Sequence, residues 1–365
     1  MEWFAWIMAV FVMVAAADRI FGGKLGLGKE FEEGIKLMGI MALSMVGMIV
    51  VTPLIAWIFD PIFLQMDGAL DPSVFAGILF ANDMGGASLA QEIANDSAIG
   101  AFNGLVVASM MGATISYTVP FALGVVSKES HKELLVGLLC GIATIPVGCF
   151  FGGMILGLPF GTLILNLLPL IIVAALVVFG LIKFPNVSVK IFSGIGIGIK
   201  ALVTFGLAIG IFEALTGVKL VPHTVSISEG IDVVANATYV LAGAFPMLFI
   251  VSKLFKKPLL KLGEKISLNQ YSVLGFVSTL ASSAPMFGKM DKMDKKGKIL
   301  NSAFATSGAW TFGGHLAFTM AFNGEYVLAV VVSKLIAGAL AVIFATILYK
   351  GMYNNLSQNG MDKVD

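Results

Sequence analysis

The residues of this chain whose types and spacing could do chemistry are Asn82, Asp83, Met84, Gly85 and Gly86, set within the otherwise apolar stretch SVFAGILFANDMGGASLAQEIAN from Ser73 to Asn95. Nine residues precede Asn82 in that stretch. At about 1.5 Å per helical residue they reach roughly 13 Å, close to half of a bilayer core of roughly 30 Å, so Asp83 is expected near the mid-plane. Gly85 and Gly86 permit a reversal of the backbone there. Irregular backbone at that depth is tolerated where it is buried in protein or lines a watery cavity, and an intramembrane carboxylate reads as a functional group. The other reading of the stretch is a single spanning helix with a glycine kink and an Asp paired to a neighbouring helix.

The whole chain supports a membrane setting. Its 365 residues are 58% hydrophobic and 12% charged, with a mean hydropathy of +0.95, which places it among all-α polytopic membrane proteins. Apolar runs predict about nine transmembrane helices, at 3–21, 35–59, 103–126, 134–156, 160–182, 191–215, 231–252, 299–321 and 326–349, plus two re-entrant hairpins at 73–95 and 268–290. The first run lacks a basic leader and a small-residue cleavage site and reads as a span, not a removed signal.

On that count the loop lysines and Arg19 collect on one side. The exceptions are Lys200 and Lys334, inside spans, and Lys219, on the other side. The positive-inside rule then predicts an inner cell-membrane protein with its amino terminus outside and its carboxyl terminus in the cytoplasm. The outer side carries Glu2, Asp60, Asp67, Asp71, Asp96, Glu213, Glu229, Asp232 and Glu325, a field that would concentrate a cation, although outer loops also become acidic merely by excluding lysine. A crossing first hairpin would flip every later loop and destroy the sorting.

The same count predicts an internal duplication. Residues 1–156 form a first repeat holding the 73–95 hairpin, 157–185 a linking helix, 186–350 an inverted second repeat holding the 268–290 hairpin, and 351–365 a cytoplasmic tail. Inverted repeats with a broken element in each half place a transport site at mid-membrane. The second tip is expected at Ser282, Ser283, Ala284 and Pro285, where proline interrupts the helix.

FANDMGGASLAQE (80–92), LVVASMMGAT (105–114), GIATIPVGC (141–149) and GLGKEFEEG (26–34) resemble the ethanolamine utilisation protein EutH family of membrane permeases. The likeness covers most of the chain. It implies import of ethanolamine for a bacterial utilisation pathway.

Such a substrate is a small ammonium ion with one hydroxyl. Asp83 offers the counter-charge, and Trp310 a π-face, unless its ring is a packing aromatic. The expected substrate-binding set is Asn82, Asp83, Gly85, Gly86, Ser109, Thr114, Ser282, Ser283, Ser307 and Trp310. Thr306, Thr311 and His315 extend the polar lining, and Glu92 suits a charge at the cavity mouth. No cofactor or metal is expected, because Cys140, Cys149, His131, His223 and His315 have no ligand spacing. KMDKMDKKGK (289–298) alternates its lysines with aspartates and reads as a solvated loop, so nucleic acid is not an expected partner. The lipid bilayer is, and a homo-oligomer stays open.

A second function class remains at this point, an ion-translocating subunit or membrane enzyme using an intramembrane Asp. The chain lacks H-E-x-x-H and G-x-S-x-G motifs, which favours a transporter over an enzyme.

Overall fold

A computed structural model describes residues 2–63, 70–265 and 267–358; Asp67 and residues 359–365 of the expected tail lie outside them. The helices are α1 (Glu2–Ile20), α2 (Leu27–Phe63), α3 (Ser73–Leu79), α4 (Gly86–Ile93), α5 (Ser97–Val125), α6 (His131–Ile155), α7 (Phe160–Lys183), α8 (Pro185–Thr216), α9 (Ile227–Lys265), α10 (Gln270–Ala281), α11 (Ala284–Phe287), α12 (Lys295–Gly308), α13 (Gly314–Asn323) and α14 (Val327–Gln358). Among the described residues, 7 helical stretches are long and apolar enough to cross a membrane: Leu27–Phe59, Ser97–Val125, Lys128–Ile155, Phe160–Lys183, Pro185–Thr216, Ile227–Val251 and Gly314–Gly351. The chain is thus an all-helical membrane protein.

Two expected spans read differently. α1, whose last turn carries Asp18 and Arg19, is not among the seven. The run 299–321 is two helices, α12 and α13, interrupted at residues 309–313. There Trp310 adopts φ 56°, a left-handed conformation that side chains with a Cβ rarely take. Its amide donates to Thr279 O at 3.0 Å and the Phe312 amide to Leu280 O at 2.9 Å, so the break is tied to the end of α10. At the carboxyl end, helix α14 continues through the start of the expected tail to Gln358.

The two short-helix pairs are closed at their roots by aspartates. Asp71 accepts from Ser73 N, Asn95 N and Asp96 N, each at 3.0 Å. Asp294 accepts from Asn269 N at 2.9 Å, Ser272 Oγ at 2.7 Å and Gly297 N at 2.9 Å. Behind each root an asparagine of the next long helix bonds back: Asn103 Nδ2 donates to Ser73 Oγ and Asn301 Nδ2 to Ser272 O. Asn103 also exchanges two hydrogen bonds with Asn166 on α7, at 3.0 and 2.7 Å.

Helix α5 runs along the first pair at backbone contact, and glycine makes that possible. A methyl group on Gly77 would overlap Asn103 O, one on Gly104 would stand 2.7 Å from Ala87 Cα, and one on Gly112 would overlap Phe80 O. Residues Asn103–Gly112 and Thr114–Thr118 of this helix are π-helical, a geometry rare in proteins and frequent at functional sites. The surrounding core joins Met45, Met48, Phe102, Leu105, Met111, Ile142 and Phe318.

Gly112→Ala forces its new methyl onto a main-chain oxygen that cannot move freely. We expect a destabilisation of about 1–3 kcal/mol, the usual range for overpacking, read as a lower melting temperature in detergent. Gly124→Ala, with nothing within 4 Å of the new methyl, should leave it unchanged.

Candidate functional site

The chain turns between α3 and α4 in a single 3-10 turn, Asn82–Met84. Gly85 follows at φ 97°, and a Cβ there would run into Met48 of α2, so both the backbone angle and the space require glycine. Gly86 N closes the turn on Ala81 O at 2.8 Å. This directs Asp83 at the first turn of α13: a Cβ on Gly314 would stand 3.7 Å from Asp83 Oδ2. A carboxylate is favoured at a helix amino terminus, where amide hydrogens point outward. The second break therefore creates the environment of the first.

His315 Nε2 lies 3.9 Å from Asp83 Oδ1. Among the described residues no other basic group comes within 4.0 Å of that carboxylate. Behind the imidazole stands Lys334 of α14, whose Nζ lies 3.2 Å from His315 Nδ1 and donates to Ser109 O at 2.6 Å. With Lys334 as an ammonium, which has donors only, Nδ1 accepts and the ring proton is assigned to Nε2, facing Asp83. Lys334 is 1% exposed and His315 2%, whereas the Asp83 side chain keeps 23% of its surface open. Asp83 is the accessible end of a charged row.

Aromatic rings wall the row. Trp310 lies 5.1 Å from the His315 ring and 5.1 Å, edge on, from Tyr117, which stacks on Phe121 at 5.0 Å. Several polar atoms at or near the helix breaks are buried without a hydrogen-bond partner, namely both amide atoms of Asn82 and the hydroxyls of Thr279, Ser283 and Ser307, and so is the hydroxyl of Thr118 on α5. Buried polar groups are ordinarily paired.

The expected residues distribute unevenly over this geometry. Asn82, Asp83, Gly85 and Gly86 form the turn; Trp310 is in the second break and not in mid-span. Ser109 contributes its carbonyl to Lys334, while its hydroxyl donates to Val106 O. Thr114 Oγ1 reaches Met110 O and Thr306 O, tying α5 to α12. Ser282 lines a mainly apolar cavity of about 690 Å³ with Phe4, Glu30, Phe249 and Phe312, which no member of the Asp83 row lines. Lys200 belongs to another cavity, of about 320 Å³, beside Tyr117 and Phe121. Lys334 is missing from the expected set; an apolar helix with one lysine signals a buried group but not its partner.

Asp83→Asn keeps the side chain's shape and removes its charge. Binding of a cationic solute should weaken tenfold to a hundredfold, the equivalent of roughly 1.5–3 kcal/mol for a charge-assisted hydrogen bond. Melting temperature and affinity should be measured together on the purified variant. A folded protein with undiminished affinity would falsify the assignment.

Comparison with known proteins covers nearly the entire chain. The family model described as "Ethanolamine utilisation protein, EutH" matches residues 1–348. A protein of Listeria monocytogenes named "Probable ethanolamine permease EutH" is 44% identical over 339 residues, 92% of this chain and 91% of that one. A Bacillus subtilis protein, "Uncharacterized protein YxeR", is 38% identical over 93% of this chain and 92% of its own. A "Probable ethanolamine permease EutH" of Escherichia coli is 37% identical over 94% of both chains. No solved structure matches. With a family model and relatives of this identity spanning almost its full length, the chain belongs to the EutH family.

Proposed function

We propose that this protein carries ethanolamine, as its ammonium ion, across the bacterial cytoplasmic membrane, with Asp83 as the counter-charge. It acts as a transporter and not as an enzyme. The observation that carries the reading is a carboxylate, in a chain that spans the membrane, that stays partly open and among the described residues has no lysine or arginine within 4.0 Å. Trp310 offers a cation-π surface beside it. Asn82, with donor and acceptor both free of partners, suits the substrate hydroxyl, and Ser283 and Ser307 complete the polar lining from the second half.

The architecture behind this site is two re-entrant hairpins, α3–α4 and α10–α11, in inverted halves joined by α7. The matching root clamps of Asp71 and Asp294 support the repeat, as do the matching Ser73–Asn103 and Ser272–Asn301 bonds. Opposite orientation is supported by how the long helices end. α5 starts at the first root and leads to Ser127, whose hydroxyl donates to Asp291 beside the second root at 2.6 Å. α12 starts at the second root, and α13 leads to Tyr326, whose hydroxyl donates to Ala98 O beside the first at 3.3 Å. The lysine sorting supports a first root outside and a second inside, with the amino terminus outside and the carboxyl terminus inside.

Radiolabelled ethanolamine should enter proteoliposomes holding the protein. Methylammonium-sized cations should compete weakly. Choline, with three added methyls, should be rejected, and so should an uncharged diol of ethanolamine's size, which offers nothing to a carboxylate. Equal competition by the diol would contradict a cation site.

A further inference from the structure

The row Asp83, His315, Lys334 holds one negative and one positive charge around a neutral ring. Among the described residues, the other titratable groups that act electrostatically on the row are Tyr117 on α5, at the Trp310 ring edge, and Cys149, buried on α6. α2 presents Met48 at Gly85. On the transport reading above, a substrate ammonium at Asp83 adds a positive charge to this neutral set, deep in the bilayer. A charge there is expensive unless compensated, and Asp83 cannot fully compensate two cations.

The row links its proton-bearing groups end to end. Lys334 Nζ faces His315 Nδ1 at 3.2 Å, and His315 Nε2 stands 3.9 Å from Asp83 Oδ1. We infer that each bound ethanolammonium expels one proton through His315, so that the protein exchanges ethanolammonium for a proton without moving net charge. The Nε2–H bond breaks and its proton passes by way of the Asp83 carboxylate, the partly open end of the row, to water on the side from which substrate came, leaving Asp83 ionised again. Nδ1 takes a proton from the Lys334 ammonium, leaving a neutral amine that now accepts from Nδ1–H. Nothing is oxidised or reduced. The ring has changed tautomer, and its Nε2 lone pair turns to the substrate, which can donate one N–H there and another to Asp83. Release on the far side runs the same steps backwards with a proton from that side. His315 and Lys334 are thereby the groups that set the charge moved per cycle.

The test uses the purified full chain in weakly buffered detergent with a pH indicator, titrated with pH-matched ethanolamine hydrochloride while bound radiolabel is counted. We expect about one proton released per substrate bound at neutral pH, and affinity weakening by up to about tenfold for each unit by which pH is lowered. Substrate binding without proton release overturns the exchange and leaves ethanolamine transport standing; absence of binding overturns both. In proteoliposomes, wild-type uptake should be unmoved by an inside-negative potassium diffusion potential. Uptake driven several-fold by that potential overturns the inference. Lys334→Met should bind without releasing a proton, and its uptake should become potential-driven; release persisting in that variant also overturns it. If Lys334→Met fails to fold, the wild-type measurements decide alone.

Discussion

Charge compensation at Asp83 is the constraint on which the rest of this structure depends. A carboxylate inside a membrane protein must be offset by something, and a direct ion pair to lysine would close it to any cationic solute. Here the offset is distributed. The amino terminus of α13 faces Asp83, His315 stands at 3.9 Å, and the Lys334 ammonium is held back behind the imidazole. The carboxylate is stabilised without being consumed.

That arrangement sets the demands on the backbone. Asp83 can face the start of α13 only if α12 and α13 are separate helices, which requires the break at residues 309–313 and the strained Trp310 within it. The break is stable because its amides bond to the end of α10. The first turn can reach that position only if α5 lies against it at backbone contact, which Gly77, Gly104 and Gly112 allow. Small residues serve this role widely in membrane helix packing, where close approach and not water exclusion drives association.

Much of this was legible in the sequence because polar residues in an apolar run stand out. Asn82, Asp83 and the glycine pair were visible by contrast alone, and the glycine pair after a nine-residue arm indicated a turn there. The break at 309–313 was not read. AWTFGGH is apolar in composition, so hydropathy continued the span through it; the flanking Gly308, Gly313 and Gly314 were the available signal. Lys334 was visible as an intramembrane base, but the imidazole between it and Asp83 depends on three-dimensional neighbours far apart in sequence. Ser109 was singled out for its hydroxyl, whereas its carbonyl does the work. Side-chain type reveals that a residue is unusual in its setting, and backbone roles leave no such trace.

An experimental structure of the protein with ethanolamine bound tests the central claim most directly. The account predicts the ammonium nitrogen within about 2.7–2.9 Å of an Asp83 carboxylate oxygen, the span of charge-assisted N–H···O bonds, with the Trp310 ring alongside. An ammonium seated instead at Glu30 or Glu92, with Asp83 unengaged, would contradict it.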